Sequence, residues 1–248
     1  VDAVSAADFA RTPWVDVARR IEEGTLAVLA LGACEQHGAH LPLTTDTDMA
    51  HGVGKRLADE LDALLLPPIA YGDAWTASAY PGTISISPRT LQAMMEDIGH
   101  ELLRMGVQGL IIVNGHFGNR EPMLLAARAM ATAGLPVCHL DYPGLERFAG
   151  DICDSEPAGP GFYHADEVET AIMLAVAPEG VVMARAEPSY PSFPPTFGSE
   201  PMQFRDFNPS GVFGDPRPAT SAKGEALIAG VLGESLRIVA AWKERHGI

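Results

Sequence analysis

Basic residues are scarce in this chain of 248 residues: 17 Lys and Arg stand against 32 Asp and Glu, a formal charge of -15. That balance argues against nucleic acid or an anionic membrane as a partner, and even Arg19-Arg20 is followed at once by Glu22-Glu23. Cysteine is equally sparse. Cys34, Cys138 and Cys153 are far apart and form no C-x-x-C pair, which argues against a disulfide framework. No apolar run approaches the roughly 20 residues that cross a bilayer, and the start lacks the basic, apolar and cleavage regions of a signal peptide, so a cytoplasmic location is expected. There is no internal repeat, no G-x-G-x-x-G and no P-loop.

What is present is enough apolar material, 47% of residues, to bury a substantial core. No composition break isolates a second core, so a single domain over 1–248 is expected. Leu26 to Leu31 reads as a buried strand ending at Gly32. A helix from about Asp48 to Leu61 follows, then a short strand from Leu64 to Leu66 limited by Pro67-Pro68. Pro88 opens a helix to about Met105 with an apolar stripe of Leu91, Met94, Met95, Ile98, Leu102 and Met105. Leu110 to Val113 is a second fully apolar strand, Asn119 or Arg120 starts a helix to about Ala133, and Pro136 to Leu140 is another strand. Repeated strand–helix order predicts an α/β fold with a mostly parallel sheet covered by helices.

Beyond that, Asp141 to Gly161 reads as loop, Glu167 to Val176 as a short helix and Ala222 to Glu244 as a long covering helix. The stretch from Glu187 to Pro218 carries eight prolines and the aromatics Tyr190, Phe193, Phe197, Phe204, Phe207 and Phe213. Disordered linkers seldom hold so many aromatics, so an ordered lid, pocket wall or subunit contact is expected.

Chemistry-bearing side chains gather in three segments. Glu35, His37 and Asp46 follow the first strand; Asn114-Gly115-His116-Phe117-Gly118-Asn119 follows the strand ending at Val113; His164-Ala165-Asp166-Glu167-Val168-Glu169-Thr170 opens a helix. Parallel topology can bring all three to one rim of the sheet, where open α/β sheets bind ligands. Carboxylates and imidazoles suit Zn²⁺, Mn²⁺ or another divalent ion. Taken alone, the first segment is also compatible with an ordinary strand-to-helix loop in which His37 meets backbone groups and Asp46 caps the helix.

The joint pattern resembles the creatininase family of metal-dependent amidohydrolases. The resemblance rests on Glu35-Gln36-His37-Gly38-Ala39-His40-Leu41-Pro42, Asp46, Pro81-Gly82-Thr83, Asn114-Gly115-His116 and the segment from His164 to Thr170, in the family's order over roughly 24–175. It implies a three-layer creatininase-like fold, two divalent metal ions per subunit (zinc, manganese or iron) and a homo-oligomer, often a homohexamer. It implies a Glu35/Asp46/His116 site beside a His37/Asp46/Glu169 site, with Asp46 shared and His164 above them as the acid that protonates the departing nitrogen. The chain departs from creatininase proper at Gly118, where that enzyme has a ligand glutamate; Glu169 is therefore the expected second-site carboxylate. Asp166 also stands where many relatives have Gly, and Ala39 where Pro is common.

The reaction expected on this pattern is hydrolysis of a small cyclic amide, formamide or related non-peptide C–N bond, with a small molecule as substrate. A creatininase-like peptidase that trims a peptide, a cyclic-ketone C–C hydrolase and a nonenzymatic metal-binding protein are the alternatives; a deeper, more open groove favours the peptidase. Trp75, Tyr80 and Asp166 are candidate substrate contacts, the two aromatics being equally compatible with loop packing. Glu167 is a candidate catalytic partner of a histidine, or a favourable charge in the first turn of its helix. His40 either orients a ligand or is structural; His51 faces pocket or solvent; His100 and His139 read as structural or surface residues, and Cys34 as a small buried side chain.

Overall fold

The computed structural model describes residues 8–248; residues 1–7 of the single-domain assignment lie outside the described part. After a first helix, α1 (Trp14–Glu22), the chain runs β1 (Leu26–Leu31), α2 (Thr45–Leu61), β2 (Leu64–Leu65), α3 (Pro88–Met105), β3 (Gly109–Asn114), α4 (Arg120–Ala133) and β4 (Val137–Leu140). Three helices complete it: α5 (Leu145–Ile152), α6 (Glu167–Val176) and α7 (Ser221–His246).

The strands form one parallel sheet in the order β2-β1-β3-β4. Its centre is the pair of uninterrupted apolar strands, Leu-Ala-Val-Leu-Ala-Leu and Gly-Leu-Ile-Ile-Val-Asn, each buried along its whole length, as central parallel strands covered on both faces must be. Alternate side chains serve the two cores. Leu29, Leu31, Leu110 and Ile112 pack with Leu91, Met95 and Leu102 of α3 and with Met123 and Met130 of α4. Val28, Ala30, Ile111 and Val113 pack with Met49, Val53 and Leu57 of α2, Ile172 of α6 and Leu227 and Val231 of α7. The result is the expected three-layer arrangement.

From the central pair the chain moves outward in opposite directions, β1 to β2 on one side and β3 to β4 on the other. The switch point, where such sheets open a crevice at their carboxyl ends, therefore lies between β1 and β3. The register there is level, Leu31 pairing with Asn114. Glu35 and His37 leave from one strand and His116 from its neighbour.

Two boundaries differ from expectation with consequences. Helix α2 starts at Thr45, three residues early, because Thr45 Oγ1 donates to the Pro42 carbonyl (2.7 Å) and Asp48 N to the Thr44 carbonyl (2.8 Å). Asp46 is thus held in a helical first turn. The stretch read as loop after Asp141 contains α5, whose Ala149 and neighbouring Phe148 pack on the core that holds α7. The Pro-rich stretch is ordered, as its aromatics suggest: Phe193, Phe197, Phe204, Phe207 and Phe213 gather round Phe162 and Tyr80. None of the described helices is long and apolar enough to cross a membrane.

Candidate metal centre

Glu35, His37, Asp46, His116 and Glu169 come together as buried side chains beyond the carboxyl ends of β1 and β3. Backbone contacts set the first of them: Glu35 N donates to the Leu43 carbonyl (3.0 Å), and Ile84 N to the Cys34 carbonyl (2.9 Å), so the Pro81-Gly82-Thr83 loop lies against the Glu35 strand end. Close approach sets Asp46. A Cβ on Gly115 would stand 2.2 Å from the Asp46 carbonyl, so only glycine lets the first turn of α2 settle on the end of β3. Glu169, in the first turn of α6, is aimed by the Ala165 N–H, which donates to its Oε2 (2.6 Å) from a left-handed residue (φ 52°).

Each histidine spends one ring nitrogen on a backbone carbonyl. His37 Nδ1 lies 3.1 Å from the Glu35 carbonyl, and His116 Nε2 lies 2.9 Å from the Asp73 carbonyl. A carbonyl only accepts, so those nitrogens carry the hydrogens and the other pair, His37 Nε2 and His116 Nδ1, turn lone pairs to the cluster, the usual outer support of a metal-binding imidazole.

The cluster itself has two halves that share Asp46. Its Oδ2 is 3.2 Å from His116 Nδ1, which is 3.0 Å from Glu35 Oε2; its Oδ1 is 3.2 Å from His37 Nε2, which is 3.6 Å from Glu169 Oε2. Within each half, one donor atom per residue lies within 4.8 Å of the others. Yet Glu35 Oε1, His37 Nε2 and Asp46 Oδ2 are buried without a hydrogen-bond partner. Unpaired polar atoms of this kind cost about 1–3 kcal/mol each in a folded protein, and three around two common points fit a cation-binding purpose.

Electrostatics agree. Burial lowers the proton affinity of His37, but the Asp46 and Glu169 carboxylates outweigh it and lift its pKa to about 10. Against the same burial penalty, Glu35 and Asp46 lift His116 well above the ordinary value. For Asp46, the two imidazoles outweigh burial and hold the carboxyl far below the usual range, while Glu169 is pushed up, chiefly by burial. A field that concentrates protons on imidazoles is also a field that draws divalent cations.

His164 is buried beside this cluster, its ring 4.4 Å from that of His37, and lines a small cavity with Glu35, Asp46, His116, Phe117, Glu169 and Phe204. A larger cavity of about 480 Å³ adjoins it, sharing Gly115, His116, Phe117, Tyr163 and Glu169 and reaching a rim with the half-exposed Arg120 and the exposed Arg147. Together they make a groove from the cluster to the surface.

Five candidates stand elsewhere. Glu167, proposed from sequence as a catalytic partner, turns away: its carboxylate accepts from Asp154 N and Ser155 N (3.0 and 2.7 Å) and pairs with Lys223, so it anchors loop to helix. Asp166 caps α6, accepting from Glu169 N at 3.2 Å, and lines a third cavity with Cys153 that shares Glu146, Gly161, Tyr163 and Val168 with the larger one and has none of the cluster residues in its lining. The Tyr80 hydroxyl donates to the Asn208 carbonyl inside the aromatic cluster, and Trp75 is 45% exposed outside both cavities; the adjacent Thr76 lines the smaller one. His40 bonds Thr170 Oγ1 (2.9 Å).

Sequence reasoning gave no role to Gln36, which bonds His164, or to Tyr142, whose buried hydroxyl is unpaired at the larger cavity. Gln36 sits inside the Glu35-Gln36-His37 run, and its amide was the available signal.

At Gly118 a Cβ would stand 2.0 Å from the Asp73 carbonyl and 2.8 Å from His116 Nε2, so this backbone admits no side chain there. The Asp73 carbonyl that orients His116 occupies that space.

The family model described as creatininase, creatinine amidohydrolase, matches residues 10–239. The chain is 33% identical over 229 residues to the mycofactocin precursor peptide peptidase of Mycobacterium ulcerans (strain Agy99), covering 87% of this chain and 84% of that one. It is 29% identical over 231 residues to the creatinine amidohydrolase of Pseudomonas putida, with 87% and 89% covered. Its backbone matches a crystal structure of creatinine amidohydrolase with a TM-score of 0.83, 27% identity and coverage of 98% and 99%. The expectation of an enzyme confined to non-peptide C–N bonds is overturned by the first of these relatives, which is more similar than the creatinine-hydrolysing one and is named for a peptide substrate. A match over nearly the whole length, from sequence and from backbone alike, places the chain in the creatininase family.

Proposed function

We propose that the protein is a peptidase that uses two divalent ions, of zinc, manganese or iron, to cleave a peptide bond. The observation that carries this reading is the groove: the cluster opens into a cavity of about 480 Å³ that runs to the surface, room for peptide on the far side of the scissile bond. Similarity to a precursor-peptide peptidase supports it.

Glu35, Asp46 and His116 would hold one ion and His37, Asp46 and Glu169 the other, with Asp46 common to both sets. Divalent ions bound there would supply activation of water and polarisation of the scissile carbonyl. The chain's own groups then orient the reactants. The Glu35 and Asp73 carbonyls and the Ala165 N–H fix three ligand side chains, and burial keeps bulk water from competing for them. Burial and neighbouring His37 hold the His164 pKa at about 4, so its ring is uncharged at neutral pH. In that form it offers a hydrogen bond to the reacting group. A homo-oligomer, a hexamer on the family pattern, completes the proposal, and sedimentation analysis measures it.

The test is a product screen by mass spectrometry. Protein reconstituted with zinc or manganese is offered short unblocked peptides and, separately, cyclic ureides and lactams. Shorter peptides support the proposal; ring opening with intact peptides overturns it.

A further inference from the structure

The three imidazoles of the buried cluster are tied down in two different ways. His37 and His116 each face a backbone carbonyl, which accepts. His164 Nε2 instead lies 2.9 Å from the side-chain nitrogen of Gln36. Which Gln36 atom is nitrogen follows from its other partners: Oε1 accepts from Gly38 N at 3.0 Å, and Nε2 donates to the Gly211 carbonyl at 3.3 Å. An amide NH₂ has hydrogens to give and no lone pair to offer. His164 Nε2 must accept, so the ring hydrogen belongs on Nδ1, which has no hydrogen-bond partner among the described residues, on a ring that lines the cavity.

The Gln36 amide is clamped. Its side chain is buried at 6% exposure, its backbone N–H donates to Thr83 Oγ1 (3.0 Å), and a Cβ on Gly211 (φ 74°) would stand 1.9 Å from its Oε1. Two residues beyond Gly211, Phe213 N donates to the His164 carbonyl at 3.0 Å. One short segment of the aromatic, Pro-rich region thus holds both partners at once.

We propose that Gln36 is a positioning residue that locks His164 as its Nδ1–H tautomer, so that an uncharged imidazole presents an N–H donor to the acyl oxygen of the substrate; the donor's target rests on the peptidase reading above. A nitrogen that carries hydrogen has no lone pair for a cation. Glu35, His37 and His164 lie within the same 4.8 Å as the other two triads, yet the lock removes His164 from metal binding.

The experiment is two-bond ¹H–¹⁵N NMR of the histidine rings in the zinc-reconstituted protein, assigned by a His164→Gln variant. Wild type is expected to show hydrogen on His164 Nδ1 and a bare Nε2. In Gln36→Glu a carboxylate accepts from Nε2, so the hydrogen moves there, with zinc content and KM near wild type and kcat about 10²-fold lower. Gln36→Leu, which adds no charge, is expected to leave the two tautomers mixed. Hydrogen on Nε2 in wild type, or a tautomer indifferent to both substitutions, overturns the lock whatever the turnover. The Nδ1–H signal without any peptide turnover overturns the peptidase reading and leaves the lock standing.

Discussion

His37 Nε2 and Asp46 Oδ1 face each other across 3.2 Å inside the protein, and His37 Nε2 has no hydrogen-bond partner. A nitrogen and an oxygen so close, so buried and so poorly aligned for each other are placed for something between them. The carboxylates of Asp46 and Glu169 overcome burial to raise the metal-free His37 pKa to about 10. Protons and cations therefore compete for one spot.

That competition gives a pH dependence of known sign. His37, His116 and Glu169 all have raised proton affinities in the fold, so the folded metal-free protein binds more protons than the unfolded chain above the unfolded values. Their stabilisation is complete at low pH, begins to fall above the ordinary glutamate value of 4.5 and the ordinary histidine value of 6.5, and is lost toward about 10. In EDTA the Tm should drop from pH 6.5 to 9. With zinc the gap between loaded and stripped protein should widen over that range, with proton release on binding, seen by calorimetry in buffers of different ionisation enthalpy.

Asp46 and His164 should separate metal retention from turnover. Asp46→Ala removes the carboxylate shared by both halves, and the loss of metal affinity should exceed the 10–100-fold typical of outer-sphere changes. His164→Gln should keep metal content near wild type and lower kcat by about 10²–10³-fold, the scale for one oxyanion donor. Elemental analysis beside steady-state kinetics reads both.

Glu167 should behave as a structural residue. Glu167→Gln breaks its pairing with Lys223 and weakens the grip on the Asp154 and Ser155 N–H groups, at a cost of about 1–3 kcal/mol. Urea unfolding should show that loss while metal content stays unchanged. A fall in metal content at full stability would return Glu167 to the site.

Gly118→Glu should not install a further metal ligand. The Asp73 carbonyl fills the space a Cβ needs, and that carbonyl fixes the tautomer of His116. Gly118→Ala should already loosen the Glu35/Asp46/His116 half, lowering metal stoichiometry without any gain of creatinine hydrolysis.

Much of this was legible in the sequence, for physical reasons. Leu26–Leu31 and Leu110–Val113 are apolar without interruption, which marks strands buried on both faces, and the chemistry begins where each run ends. Asp46 and Glu169 stand out as candidates in their own segments, and the resemblance is what sorts them into two adjoining sites. The errors lie where the cause is long-range. Glu167 looks like Glu169 in sequence, but one helical turn aims Glu169 at the cluster while Lys223, 56 residues on, draws Glu167 away. The burial of Tyr80 depends on Asn208, and the role of Gln36 on Gly211. Neither partner is near enough in the chain for periodicity or spacing to reveal it.

The most direct test of metal-dependent peptide cleavage is hydrolysis of a peptide in ¹⁸O water by one protein sample stripped with EDTA and then restored with zinc or manganese, read by mass spectrometry. The expected result is no cleavage when stripped, recovery with metal, and a single ¹⁸O in the new terminal carboxylate of the amino-side product. Cleavage that persists in the stripped protein, or metal-restored protein that leaves every peptide intact, would contradict it.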